Sequence, residues 1–370
     1  MPLDVPFAVS PFAWYRVAFR AKARPGGMIA AIFSDAAGRD LDADHYTGLD
    51  PSEDWQPQEF CFRAKANATH ARIRLNPASL ADSVRDVAVE PVSRAAVAAW
   101  ADRLWATMPP LPQHEHEAPP PATFLARGGA RAEGGCVTHT LRVVMLGDSI
   151  VNDTGNSPWD VLVERHYPGL RLEVVTSVRG GTGCWYYKDE GRVKPYVLDY
   201  RPDLLMIGGI SHNNDTEAIR SVVRQTRPER SRGVRAAARP GAKEHCRVEQ
   251  LCNVLGEPQS PSPASGATAG HASSPHVLLM TGAFGKGRDP REDPAWSPAI
   301  VPGDGSYRSR LEALAAEEGC GFFDLEGAWG AYLRSVPQPY AWFMRDEVHA
   351  NTRGHMLLAR ILERFFAPRA

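Results

Sequence analysis

The chain has 370 residues, enough for two domains that each bury a core. Its 42 Lys and Arg face 43 Asp and Glu, a formal net charge of -1, which argues against a nucleic-acid binder that relies on general phosphate attraction. Apolar residues make up 43%, but no run approaches the roughly 20 residues that span a bilayer.

The opening MPLDVPFAVS lacks the charged and then apolar plan of a signal peptide. It reads as cytoplasmic as it stands, or as secreted or periplasmic with a truncated start. Residues 14–23, 28–35, 58–66, 70–77 and 84–92 are short apolar runs punctuated by Gly, Pro, Asp and Asn. In the first, Tyr15, Val17 and Phe19 alternate with Arg16, Ala18 and Arg20, giving a dry face and a wet face. Such strands predict an antiparallel β-sandwich over 1–92. The period then becomes helical over 93–108, with Ser93 as candidate N-cap and Val97, Trp100, Leu104 and Trp105 as the apolar stripe. PPLPQHEHEAPPP (109–121) is a stiff, polar linker where the domain boundary is expected, within a helix-and-linker segment over 93–140. The His and Glu of HEHE could bind a metal, but a solvated linker gives them no fixed geometry.

From 141 onward strands alternate with helices. Strands are predicted over 141–146, 170–178, 202–211, 276–284 and 321–329, and helices over 157–167, 216–226, 307–319 and 352–366. That order implies a parallel sheet covered on both faces, with the ligand beyond the carboxyl ends of its strands. Residues 227–274 break the rhythm: few aliphatics, many Pro, Gly, Ser and Arg, and a length unusual for a loop inside a domain. They read as a disordered insert or an insertion of doubtful origin. Cys61, Cys136, Cys184, Cys246, Cys252 and Cys320 show no zinc-ligand spacing, which predicts unpaired thiols and no metal centre.

The strand at 141–146 runs into Gly147, Asp148 and Ser149. This is either a plain turn or a nucleophile held at a strand end. Acyl chemistry needs a hydroxyl, a base in reach, a group that orients the base, and donors for an oxyanion. MRDEVHANTRGH places Asp346 three residues before His349, so one loop can bring carboxylate and imidazole to one pocket. His355 competes as base, but its helical spacing fits packing or capping. Trp185, Tyr186 and Tyr187 of GCWYYKDEGR would lie near the rim, where aromatics stack on sugars or simply pack. Arg179 could meet an acidic sugar or pair with Asp189, and GAFGKGRDP (282–290) offers another basic rim. DHYTGLDPSEDWQ (44–56) has the mix of a sugar-binding loop, and its Asp44, Asp50, Glu53 and Asp54 could hold a structural calcium.

GDSI after an apolar strand, the glycines of SVRGGTG, the polar turn GGISHNND and a late DEVH, in that order, resemble the four blocks of the SGNH, or GDSL-type, hydrolases. Each block is weak alone; their order and the β/α rhythm of 141–370 make the combination specific. The resemblance implies a flavodoxin-like three-layer α/β domain. The preceding smaller, jelly-roll-like antiparallel sandwich is similar in outline to carbohydrate-binding modules. By the same resemblance Ser149 is the nucleophile and an oxyanion donor, Gly180 or Gly181 is the second donor, and Asp346 and His349 complete a triad. The third block departs from the family's Gly-x-Asn-Asp. An ungapped match puts His212 at the Asn position, with Asn213 the alternative donor after a small loop shift.

Asp148, Arg179, Trp185 and Tyr186 are the candidate substrate contacts. The expected activity is a serine esterase acting on acyl, chiefly acetyl, esters of carbohydrate, with no cofactor, no nucleic acid and no membrane partner. The alternatives are a lipid or thioester hydrolase on the same fold, or a carbohydrate-binding protein with an impaired site. LGDSIVNDTGNS carries no Lys at the P-loop position, which speaks against nucleotide binding.

Overall fold

Strands β1 (Phe7–Ala8), β2 (Trp14–Ala21), β3 (Met28–Ser34), β4 (His45–Gly48), β5 (Gln56–Arg63), β6 (His70–Asn76) and β7 (Val84–Val92) form two antiparallel sheets, ordered β1-β6-β3-β4 and β5-β2-β7. The structure is a computed structural model, and it describes residues 3–112, 139–227, 274–284, 289–294 and 296–368. HEHE, Cys136, Cys246, Cys252, nearly all of the 227–274 insert and residues 285–288 of the second basic rim lie outside the described residues. Alternation places Tyr15, Val17 and Phe19 inside the sandwich with Ile29, Phe33, Phe60, Phe62 and Ile73. The opposite face of β2 is wet only in part. Trp14 shares that face with Arg16 yet is 2% exposed, because it joins Cys61 and Val97 in the apolar cluster of the C-terminal half.

Helix α1 (Arg94–Trp105) starts at Ser93, whose side chain accepts the Ala96 N–H. There follow β8 (His139–Gly147), α2 (Ser149–Asn156), α3 (Trp159–Glu164), β9 (Leu170–Val178), α4 (Cys184–Tyr187), α5 (Val193–Tyr196), β10 (Leu204–Ile207), α6 (Thr216–Gln225), β11 (His276–Met280), α7 (Tyr307–Glu318), β12 (Gly321–Phe323), α8 (Leu325–Ser335) and α9 (Thr352–Phe366). The five strands pair in parallel in the order β12-β11-β10-β8-β9, the flavodoxin-like order with its switch point between β8 and β10. Val143 and Met145 of β8 pack with α9, while Val144 and Leu146 pack with α6 and α7, so the sheet is the middle of three layers. Among the described residues no helix is long and apolar enough to cross a membrane.

Several segments differ from the sequence reading: the strands predicted over 202–211 and 276–284 span only Leu204–Ile207 and His276–Met280, and two further differences involve helices. The strand predicted over 321–329 stops at Phe323, because the Asp324 carboxylate accepts the Gly327 N–H and starts α8. The turn-formers after Ser149 build α2, a helix whose residues from Ile150 to Asn156 are all buried.

The sandwich is hydrogen-bonded to that helix. Asn152 and Asn156 donate through Nδ2 to the Asp44 carbonyl at 2.7 and 3.0 Å. Arg63 donates to the Gly155 carbonyl at 2.5 Å, and Lys65 Nζ to Asn156 Oδ1 at 2.5 Å. Burial drives the Lys65 ammonium down to about 7. In the unfolded chain it holds its proton up to the ordinary 10.5. Between these values the unfolded chain binds the extra proton, so this group makes the fold more stable as pH rises from about 7 toward 10.5. Lys65→Met should lose that rise, measured by denaturant unfolding of both proteins near pH 6 and near pH 10. Parallel slopes would show that Lys65 stays charged where it is buried.

Candidate active site

Strand β8 ends at Gly147, and the chain turns directly into α2. Asp148, 1% exposed, spends both carboxylate oxygens on backbone: Oδ1 accepts Ile150 N at 2.9 Å, and Oδ2 accepts Ile210 N and Ser211 N at 2.7 Å each. It therefore caps α2 and pins the loop after β10 to it. Gly209 makes room for this clamp: its φ is +112°, and a Cβ there would stand 2.5 Å from Asp148 Oδ1. As a substrate contact Asp148 is corrected, since it is sealed and fully bonded.

Ser149 thus opens a helix at the carboxyl end of an inner strand. Its Oγ lies 2.8 Å from His349 Nε2, and His349 Nδ1 lies 2.9 and 3.0 Å from the two oxygens of Asp346. With the proton on Nδ1 donated to Asp346, Nε2 is left as the acceptor for the serine hydroxyl. Burial alone would raise the Asp346 carboxyl. The hydrogen bonds from the His349 ring and from the Val348 and His349 N–H groups outweigh it and bring the group to about 2. Three residues the sequence reading passed over join this group: Arg345 Nη1 is 2.9 Å from Asp153 Oδ1, and Ala350 N donates to Asp153 Oδ2 at 2.8 Å. Their signal, an acid four residues after Ser149 on the same helix face, is invisible unless α2 itself is foreseen.

Among the described residues, the N–H groups of Ser149, Gly180 and Gly181 make no hydrogen bond. Arg179 N donates to the Gly147 carbonyl, which closes the 179–182 turn beside the end of β8. His212 departs from its expected role as oxyanion donor. It is 2% exposed; Nε2 donates to the Gly208 carbonyl at 2.8 Å, and Nδ1 accepts Cys184 N at 3.0 Å. A neutral imidazole has one N–H, and that one is taken. Burial lowers the His212 pKa and keeps the ring neutral. Asn213 is exposed at φ +51°, and Asp215 caps α6 by accepting Ala218 N.

Trp185 is 37% exposed and its Nε1 donates to the Ser211 carbonyl at 2.8 Å. Tyr186 lies between the Arg179 and Arg192 guanidinium groups, 5.0 and 3.8 Å from its ring centre. Arg179 engages Tyr186, not Asp189, which pairs with Arg192 at 3.0 Å. Tyr187 is buried and donates to the Gly147 carbonyl. His355 is buried 3.4 Å from Asp153 Oδ1 and packs on His45, away from any role as base. In the 44–56 segment Asp44 accepts Phe33 N, Asp50 pairs with Arg353 at 2.7 Å, and part of the loop is strand β4. Among the described residues no three His, Cys, Asp or Glu side chains converge as a metal site requires.

No family model matches this sequence, and no curated protein does. Solved structures similar to it include the acetyl xylan esterase AlAXEase, at 17% identity over 60% of this chain and 97% of that one, TM-score 0.37. Another is a catalytic mutant of Axe2, an acetylxylan esterase from Geobacillus stearothermophilus, at 18% identity over 62% and 95%, TM-score 0.36. A third is Est2A, an acetyl xylan esterase from the rumen bacterium Butyrivibrio proteoclasticus, at 10% identity over 97% and 88%, TM-score 0.27. At such identities the chemistry of the site rests on the distances within this chain.

Proposed function

We propose that the protein is a serine esterase that removes acyl groups, chiefly acetyl, from carbohydrate through Ser149, His349 and Asp346. The observation that carries this reading is the continuous relay from Ser149 Oγ to His349 Nε2 at 2.8 Å and from Nδ1 to Asp346 at 2.9 Å. Ser149 Oγ attacks the ester carbonyl carbon while His349 Nε2 takes its proton. The oxyanion faces the N–H of Ser149 and that of Gly180 or Gly181, which have no other partner among the described residues. Collapse expels the sugar oxygen, which leaves with the proton from His349. Water then attacks the acyl-enzyme by the same route, releasing the carboxylic acid and restoring Ser149. Asp346, held at about 2, stays ionised across the neutral range and fixes the proton on Nδ1.

The carbohydrate half of the reading rests on Trp185, an exposed indole whose N–H is tied down to the Ser211 carbonyl. Trp185→Ala should raise KM for acetylated xylan or glucomannan by roughly tenfold more than KM for p-nitrophenyl acetate. An equal effect on both substrates would remove Trp185 from sugar recognition. An inert wild type, folded and assayed on both, would overturn the esterase reading itself.

A further inference from the structure

We propose that Asp153 is a positioning residue of the triad, holding the loop of His349 against the nucleophile helix through Arg345 and Ala350. The inference rests on the esterase reading above. Ser149 and Asp153 are four residues apart in α2, so they share a face one turn apart. Ser149 meets the tip of the 344–350 loop, and Asp153 meets its base twice, through Arg345 Nη1 at 2.9 Å and Ala350 N at 2.8 Å.

The loop is closed on itself. Met344 and Ala350 form an antiparallel bridge, Arg345 N donates to the His349 carbonyl at 2.9 Å, and Arg345 Nη1 also donates to the Ala350 carbonyl at 2.6 Å. Such a loop moves nearly as a unit. Attached to α2 at one point it can pivot, and the separation of Nε2 from Oγ changes; attached at two points it cannot.

The pair is deeply placed, with the Arg345 and Asp153 side chains 6% and 0% exposed. Buried ion pairs add little net stability over apolar packing, because desolvation offsets their attraction. Orientation is therefore what this one contributes. The sandwich supports the third side: Arg345 reaches the Tyr46 carbonyl at 3.4 Å, and His45 stands edge-on to His355, which lies beside Asp153.

The test uses the full chain with Asp153→Asn and, separately, Arg345→Lys, which keeps the charge but loses the fork. For Asp153→Asn, kcat on p-nitrophenyl acetate should fall about 10²-fold with KM within about twofold, as expected for a misplaced base. A deshielded proton NMR signal is expected from His349 Nδ1–H in the wild type, and in Asp153→Asn it should broaden or vanish while the protein still melts cooperatively. Arg345→Lys should lose about tenfold in kcat, since the contacts to Asp153 and the Ala350 carbonyl converge on one guanidinium nitrogen, Nη1, whose position the ammonium of the shorter side chain does not reproduce. Unchanged kcat and signal in the folded variants would overturn the positioning role. So would failure of both variants to fold, which would assign the pair to stability alone. The NMR signal needs no turnover: an inert wild type that shows it would sink the esterase reading and leave Asp153 to be judged on the signal in its variants.

Discussion

Replacing Ser149 with alanine should lower ester hydrolysis by at least about three decades, to near the background rate, while the melting temperature stays close to wild type. The two halves of that expectation have separate causes. Activity would depend on the hydroxyl, because among the described residues no other group hydrogen-bonds to His349 Nε2. Stability does not, because the N-cap of α2 is Asp148, which serves Ile150 N and Val151 N whatever stands at position 149. The variant loses one partly buried hydrogen bond, about 1 kcal/mol at most. Rates on p-nitrophenyl acetate and on acetylated xylan, with circular dichroism on the same samples, decide the matter. Equal rates in wild type and variant would remove Ser149 as nucleophile and turn attention to sugar binding by the sandwich.

How much of this was readable in the sequence depended on the range of the physics involved. Ser149, Asp346 and His349 could be proposed together from the sequence because Ser149 follows a strand end, and Asp346 and His349 stand three residues apart just ahead of a helix. The parallel strands stood out because burial on both faces writes continuous apolar runs such as LRVVML. Helix α2 did not. SIVNDTGN holds two Asn, a Gly and three β-branched residues, all poor helix formers, and it is helical because Asp148 caps it and tertiary contacts enclose it.

His212 shows a different failure. Position along the third block suggested a donor, but only the fold reveals that the ring turns inward to join Gly208 to Cys184. The wet face of β2 misled in the same way, since nothing local says that Trp14 and Arg63 will be covered by a second layer.

That covering leads to the second large effect. Arg63→Met should destabilise the whole protein by about 3 kcal/mol, near the lower end for breaking a buried ion pair. Arg63 is 3% exposed, and its Nη1 lies 2.8 Å from Asp160, which is 0% exposed. Removing it strips Asp160 of one cation, although Arg94 Nη2 still holds the other carboxylate oxygen at 2.8 Å, which is why the loss stays near the lower end. The Gly155 carbonyl in α2 loses its donor as well. Replacing both partners, Arg63→Met with Asp160→Leu, should recover only part of the loss: the desolvation penalty of Asp160 goes, but Arg94 keeps Glu164 without Asp160 and the Gly155 carbonyl stays without its donor.

The same experiment tests whether the sandwich is an appendage of the parallel-sheet half or forms one cooperative unit with it. If the interface couples the two halves, denaturant unfolding followed by tryptophan fluorescence and by residual ester hydrolysis should give one coincident transition in wild type, shifted as a whole in Arg63→Met. Two separated transitions, with hydrolysis outlasting the sandwich, would show that the parallel-sheet half stands alone and that Arg63 and Lys65 only dock a module onto it. A single transition would mean that the first ninety residues are held in place as the outer wall of α2, so truncating them would expose the polar side chains that Ser149's own helix buries.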